Sequence, residues 1–419
     1  MGSIRLGVVG YGSRGSNMVR NMCRENTGVQ IAAIADPRRD AILAEMKEAG
    51  HDTEAIHFYD HAVDMLEREA LDGVVVGTRC SQHTSDALKV LSLSLPLFLE
   101  KPVATSLEDL KSLQFASEKK DDVSSRVVVS FPLRVSSLVN LARQIIDSGE
   151  IGTVEHVQAW NNVTYGSVYY QNWYRDDKET GGLFLQKATH DFDYINSLLG
   201  KNRPVMITAM KSKQVFRGEH QAGLHCMDCQ ERTSCLDSPY HRSRARPLAM
   251  DATSNLMCAY GVDTGNEDSG SAIVEYESGM HVVYSQNFFV RNKAGSRGAR
   301  FMGYKGTLEF DWYTGILKVF MHHSPRVVTH TFDQSDGHGG GDQALASNFL
   351  DVIQGRANSV ATLEDGILSA LMCLRAKQSA ETRTFQRVSL SDNMIDGLSV
   401  FQTPELVDRS VWAQGAHVS

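Results

Sequence analysis

Apolar and polar positions follow two rhythms along this chain. Ile4–Val9 is mostly apolar and β-branched, as in a strand buried on both faces. A glycine-bearing polar loop follows, then a helical stretch over residues 16–25 and a second apolar run, Val29–Ala35, that ends at Asp36. Further strands are predicted over 73–77, 96–99 and 126–130, with helices between them. That alternation predicts a parallel, doubly wound sheet. After about residue 131 apolar and polar positions alternate singly, over 154–159, 271–276, 281–284, 306–310 and 316–320. This is the pattern of half-buried antiparallel strands, so the second region reads as α+β with a large open sheet. Helices are predicted from near Asp342 and over Leu363–Thr382. No internal repeat interrupts the pattern.

The expected division is a dinucleotide-binding region over 1–125 and a substrate-binding and oligomerisation region over 126–419. Residues 211–267, rich in Arg, His, Cys and Asp, break the strand rhythm and read as an insertion. A chain of 419 residues exceeds what one core usually supports, which agrees with two domains. A formal net charge of -8 argues against a nucleic-acid partner. No apolar run reaches the roughly 20 residues that span a bilayer. The first residues enter a strand without the basic start and cleavage site of a secretion signal, so a cytoplasmic protein is expected. Seven cysteines in so long a chain fit reduced thiols better than a disulfide framework.

Candidate chemistry begins in the loop Gly10-Tyr11-Gly12-Ser13-Arg14-Gly15. Its glycines permit a tight turn and let a pyrophosphate approach backbone N–H groups at a helix start. A plain turn would look the same, but here the loop follows a strand, opens a helix and precedes Asp36. Asp36 suits the ribose hydroxyls of NAD and repels a 2′-phosphate. Arg38 and Arg39 leave NADP open, unless they are solvated loop charges.

Glu100-Lys101-Pro102 follows an apolar strand at the carboxyl edge of this sheet, where open α/β sheets bind ligands. Glu100 is placed to orient the Lys101 ammonium. The third constellation runs from Gly181-Gly182 through Gln186, Lys187, His190 and Asp191 to Asp193. If it is helical from Gln186, Lys187, His190 and Asp191 share one face. A cationic lysine suppresses protonation of its histidine neighbour, which suits a neutral imidazole that takes a hydroxyl proton. His338-Gly339-Gly340-Gly341-Asp342 supplies a second histidine for substrate, or merely a capped loop.

The insertion carries Cys226-x-x-Cys229, Cys235 and nearby histidines. Three thiolates with one of His220, His225 or His241, of which His241 is taken, would make a structural zinc site. Free thiols and an iron–sulfur cluster are the rival readings.

Taken together, the glycine fingerprint, Glu100-Lys101-Pro102, the Gly-Gly segment with His190 and Asp193, and Gly303-Tyr304-Lys305-Gly306 resemble the Gfo/Idh/MocA oxidoreductases over nearly the whole chain. The resemblance implies NAD(P)-linked chemistry on sugars or cyclitols, a Rossmann domain, and a second domain whose open sheet often forms a dimer interface. It implies Lys101 near nicotinamide and substrate, and His190 as the acid–base. Thr78 and His83 match a cofactor-binding stretch in which Arg79 and Cys80 replace proline and asparagine. Arg134, Trp173 and Arg175 fall at substrate-side positions. Gln186 stands where many relatives carry an aspartate, which leaves Lys187, Asp191 or Tyr174 to share the proton relay.

The expected reaction is hydride transfer between NAD, with NADP as the lesser option, and a ring carbon of a sugar, glycoside or cyclitol, in a homodimer or homotetramer. The alternative is redox-neutral glycoside hydrolysis or epimerisation through transient oxidation at C3.

Overall fold

The computed structural model describes residues 3–50, 52–119, 123–242, 256–333 and 338–390. Among them, the first sheet holds β1 (Ile4–Val9), β2 (Val29–Ala35), β3 (His57–Tyr59), β4 (Gly73–Val76), β5 (Leu97–Leu99) and β6 (Val127–Val129). Their order is β3-β2-β1-β4-β5-β6, and every pair is parallel. The order reverses direction between β1 and β4, which opens a crevice at the carboxyl ends of those strands. β4, β5 and β6 are fully buried apolar runs, because helices cover both faces. β6 lies beyond residue 125, yet it pairs with β5 as the last strand of this sheet.

The second sheet contains β7 (Val154–Asn162), β8 (Pro204–Ser212), β9 (Ser269–Tyr276), β10 (His281–Asn287), β11 (Ser296–Gly303), β12 (Gly306–Asp311), β13 (Ile316–Met321), β14 (Val327–Thr331) and β15 (Gln386–Arg387). It runs β14-β13-β12-β11-β7-β10-β9-β8-β15, antiparallel except for the parallel pair β7 and β10. Burial alternates along β9 and β12, so one face is core. On the other face Met210 and Ile273 stay exposed.

Helices Thr189–Leu199 and Leu363–Thr382 pack together, and the latter lies along β8. The longer one starts on a reciprocal cap: the Thr362 hydroxyl accepts from Asp365 N–H while the Asp365 carboxylate accepts from Thr362 N–H. It also reaches the first sheet. A Cβ on Gly366 would stand 2.6 Å from Val103 and 3.1 Å from Val129, so only glycine admits this approach. Helix Gly341–Ile353 packs against helix Ser13–Glu25 in turn. The first sheet is therefore covered partly by residues more than 200 positions downstream.

Candidate active site

At the end of β1 the chain turns through Gly10, whose φ of 81° is left-handed. A Cβ there would come within 2.7 Å of Thr78 N, and one on Gly15 within 2.6 Å of Gly10 O. Gly12 begins helix Ser13–Glu25 with no side-chain bond at the cap, leaving the first-turn N–H groups to an anion. Asp36, at the end of β2, accepts from Tyr11 N at 3.0 Å and Arg38 N at 2.9 Å. Arg38 also grips both its oxygens, at 3.1 and 2.9 Å. Burial opposes its charge, but these bonds outweigh burial and hold its pKa below the usual value. The donor set fits an adenine dinucleotide, with Gly10, Gly12, Ser13 and Gly15 at the pyrophosphate and Asp36 at the ribose. Losing a hydrogen bond to a charged group costs about 1.5–3 kcal/mol, so Asp36→Ala is expected to lower kcat/KM for NAD about 10- to 100-fold and narrow its lead over NADP. Parallel kinetics with the two cofactors read this directly, and an unchanged ratio would remove Asp36 from cofactor choice.

Arg14, expected among the cofactor ligands, is taken up by two carboxylates and Ser130. Its Nε donates to Glu100 at 3.3 Å, and its two terminal nitrogens reach Asp342 at 3.2 and 3.0 Å. Glu100 is thus engaged by Arg14 rather than by Lys101. Asp342 is held well below the usual carboxylate range: burial opposes its charge, but His338, whose Nδ1 lies 2.8 Å away, and Arg14 outweigh it. His83 is buried with its ring nitrogens facing Pro102 O at 2.7 Å and Thr78 O at 3.2 Å. It braces two loops of the cradle, and Thr78 bonds Asp86 beside it.

Lys101, ahead of a cis peptide to Pro102, donates from Nζ to Gln186 O at 2.9 Å. Burial, and then Lys187, bring its pKa down to about 8. Gln186 Oε1 accepts from the Cys80 thiol at 3.6 Å, so this residue positions Lys101 through its main chain and offers no carboxylate. Residues Phe184–Ala188 form a π-helical turn rather than the expected α-helix, which begins only at Thr189. The wider turn separates the expected single face: Lys187 Nζ donates to the Tyr165 hydroxyl at 2.6 Å, while Asp191 points into the core. His190 packs edge-on against Phe131 and has its ring centroid 6.5 Å from that of His338. Burial first, then Lys101, Arg297, His338 and Lys187, push its pKa well below 6.5, so the ring is neutral at pH 7. Among the described residues its buried Nδ1 has no partner.

Other expected substrate residues are engaged elsewhere. Asp191 is fully buried and accepts from Asn161 at 2.9 Å, Tyr284 at 2.9 Å and Arg297 Nε at 2.8 Å. Arg134 is clamped between Asp193 and Asp365. Arg175 pairs with Asp263 in the insertion at 2.5 Å. Trp173 stacks on Tyr174 at 3.9 Å and under the Arg79 guanidinium at 3.9 Å, which places this pair beside the loop that follows β4. The zinc expectation fails as drawn. Among the described residues no group of three or more His, Cys, Asp or Glu is arranged to hold a metal. His241 turns its Nδ1 to Thr233 O at 3.0 Å, and Cys226, Cys229 and Cys235 are free thiols. Burial, and then the thiols of Cys258, Cys235 and Cys229, keep Cys226 protonated, at about 11.

The family model for the oxidoreductase family's NAD-binding Rossmann fold matches residues 4–127, and that for its C-terminal alpha/beta domain matches 143–390. The chain belongs to the Gfo/Idh/MocA oxidoreductase family. It is 27% identical over 373 residues to YteT of Bacillus subtilis, covering 78% of this chain and 84% of that one. It is also 27% identical over 205 residues to the scyllo-inositol 2-dehydrogenase (NAD(+)) of the same organism, covering 47% of this chain and 54% of the relative. A solved levoglucosan dehydrogenase, in complex with NADH and levoglucosan, superposes with a TM-score of 0.72 at 15% identity, covering 92% of this chain and 99% of that one. In this Gfo/Idh/MocA chain, sequence reasoning missed Arg297, Tyr165 and Tyr284. Arg297 sits on β11 between Ser296 and Gly298, where nothing apolar marked a strand.

Proposed function

We propose that this chain oxidises a ring hydroxyl of a sugar or cyclitol, with NAD as the hydride acceptor. The observation that carries this reading is the meeting of Lys101, fixed by Gln186 O, and neutral His190, with an unpartnered Nδ1, beside a cradle suited to a dinucleotide. The dehydrogenase names of the relatives support the substrate class. NAD, when bound, takes up the hydride. Lys101 donates to the substrate oxygen and steadies the negative charge that develops on it. His190 takes the hydroxyl proton, which its neutrality allows. His338, paired with Asp342, has its ring 6.5 Å from that of His190 and is the second histidine available to the substrate.

The test is NADH production from a panel of cyclitols and sugars. His190→Asn should lower kcat about 100- to 10,000-fold while NAD still binds. An unchanged kcat would remove the proton-transfer role. Glycoside cleavage without net NADH would establish the redox-neutral reading instead.

A further inference from the structure

We propose that the ring this site oxidises carries an anionic group, a carboxylate or a phosphate, and that Lys187 and Arg297 receive it. The inference rests on the dehydrogenase reading and specifies its substrate class.

The observations concern charge balance around His190. Lys187 and Arg297 are 8% and 9% exposed, so both cations are largely withdrawn from water. Among the described residues no carboxylate lies within 4.0 Å of Lys187 Nζ; its neighbours are the Tyr165 hydroxyl and the rings of Tyr165 and Tyr169, 4.7 and 5.2 Å away. Arg297 donates from Nε to Asp191, but among the described residues its buried Nη2 has no hydrogen-bond partner. Asp191, the carboxylate whose charge acts on both cations, bonds only Arg297 of the two and is already committed to Asn161, Tyr284 and Arg297. Gln186, one residue from Lys187, is neutral.

A buried charge without a counter-ion is costly and ordinarily acquires one or loses its proton. Lys187 is partway to the second outcome: burial, and then Arg297, bring it down to about 7. A neutral sugar does not relieve this, because its hydroxyls leave the excess positive charge in place. A carboxylate or phosphate does, through charge-assisted bonds to the ammonium and to the free guanidinium N–H. Tyr165 is 50% exposed, so the Lys187 end of the cluster borders solvent.

The test compares kcat/KM for matched pairs with wild-type protein and NAD. One arm sets hexoses against their hexuronates, and the other sets cyclitols and hexoses against their phosphates. We expect the anionic member to lead by tenfold or more in one arm, and the leading arm identifies the anion. Lys187→Met should bring that ratio towards one, and raised salt should weaken the lead in wild type. Neutral substrates leading in both arms would overturn the anion proposal and leave the dehydrogenase reading standing. A ratio unmoved by Lys187→Met would remove Lys187 from recognition. NADH formation from neither class would count against the dehydrogenase reading itself.

Discussion

Lys101→Met should cost this protein about 100- to 10,000-fold in kcat, the range expected when a positioned group that stabilises charge in the transition state is removed. The substitution keeps the stem and removes the ammonium that Gln186 O fixes at 2.9 Å. NAD affinity should barely change, because the cradle is built from Gly10 to Gly15 and Asp36. The ammonium is the working form, so wild-type kcat/KM should fall as pH rises through about 8, the value to which burial and Lys187 bring this group. That limb should be missing in the variant. Steady-state rates across pH, paired with equilibrium NAD binding, check both halves. A variant that loses NAD affinity but keeps kcat would make Lys101 a cofactor ligand only.

Arg134→Met should destabilise the fold by about 3–5 kcal/mol, because it leaves a carboxylate buried without its cation. Arg134 donates to both oxygens of Asp193, at 3.0 and 2.7 Å, to Asp365 at 2.6 Å and to Val360 O at 2.9 Å. Burial works against its charge, yet the two aspartates outweigh burial and keep it fully ionised. Asp193 lies one helical turn beyond His190, so this strut sets the angle of the helix that presents the imidazole. Denaturant unfolding measures the loss. Replacing Arg134 by Met and Asp193 by Leu together should recover much of it, since two apolar groups leave no orphaned charge. Wild-type stability with a raised KM in Arg134→Met would return this residue to substrate binding.

The parts legible in sequence were those with a strong local signal. Strands β4 and β5 are unbroken apolar runs, β1 and β2 are interrupted only by Arg5 and Gln30, and helix Leu363–Thr382 appears with the expected bounds. β3 is three residues, His57–Tyr59, with no run to detect. β11 carries two arginines and two glycines, and it is a strand because β7 and β12 pair with it on either side. The site divides the same way. Lys101 and His190 were visible because each stands beside a backbone signal, a proline or a glycine pair. Arg297 was hidden because its importance comes from Asp191, 106 positions away. Asp191 and Arg134 looked like ligand groups, since a charge near a motif cannot show which partner consumes it. The Cys-x-x-Cys spacing proposed two thiolates, but spacing does not fix where Gln171, which donates to Cys226 at 3.7 Å, or Thr233 will stand.

The return of the late helices to the first sheet bears on how the chain assembles. Val129 N–H bonds Ala361 O at 2.7 Å, and Gly73 faces the Ile353 side chain so closely that a Cβ would stand 2.7 Å from it. During synthesis the six parallel strands are complete long before residues 341–382 exist to cover them. The dinucleotide half therefore waits with an apolar face bare, and its consolidation is a late, long-range step of the kind that makes folding slow.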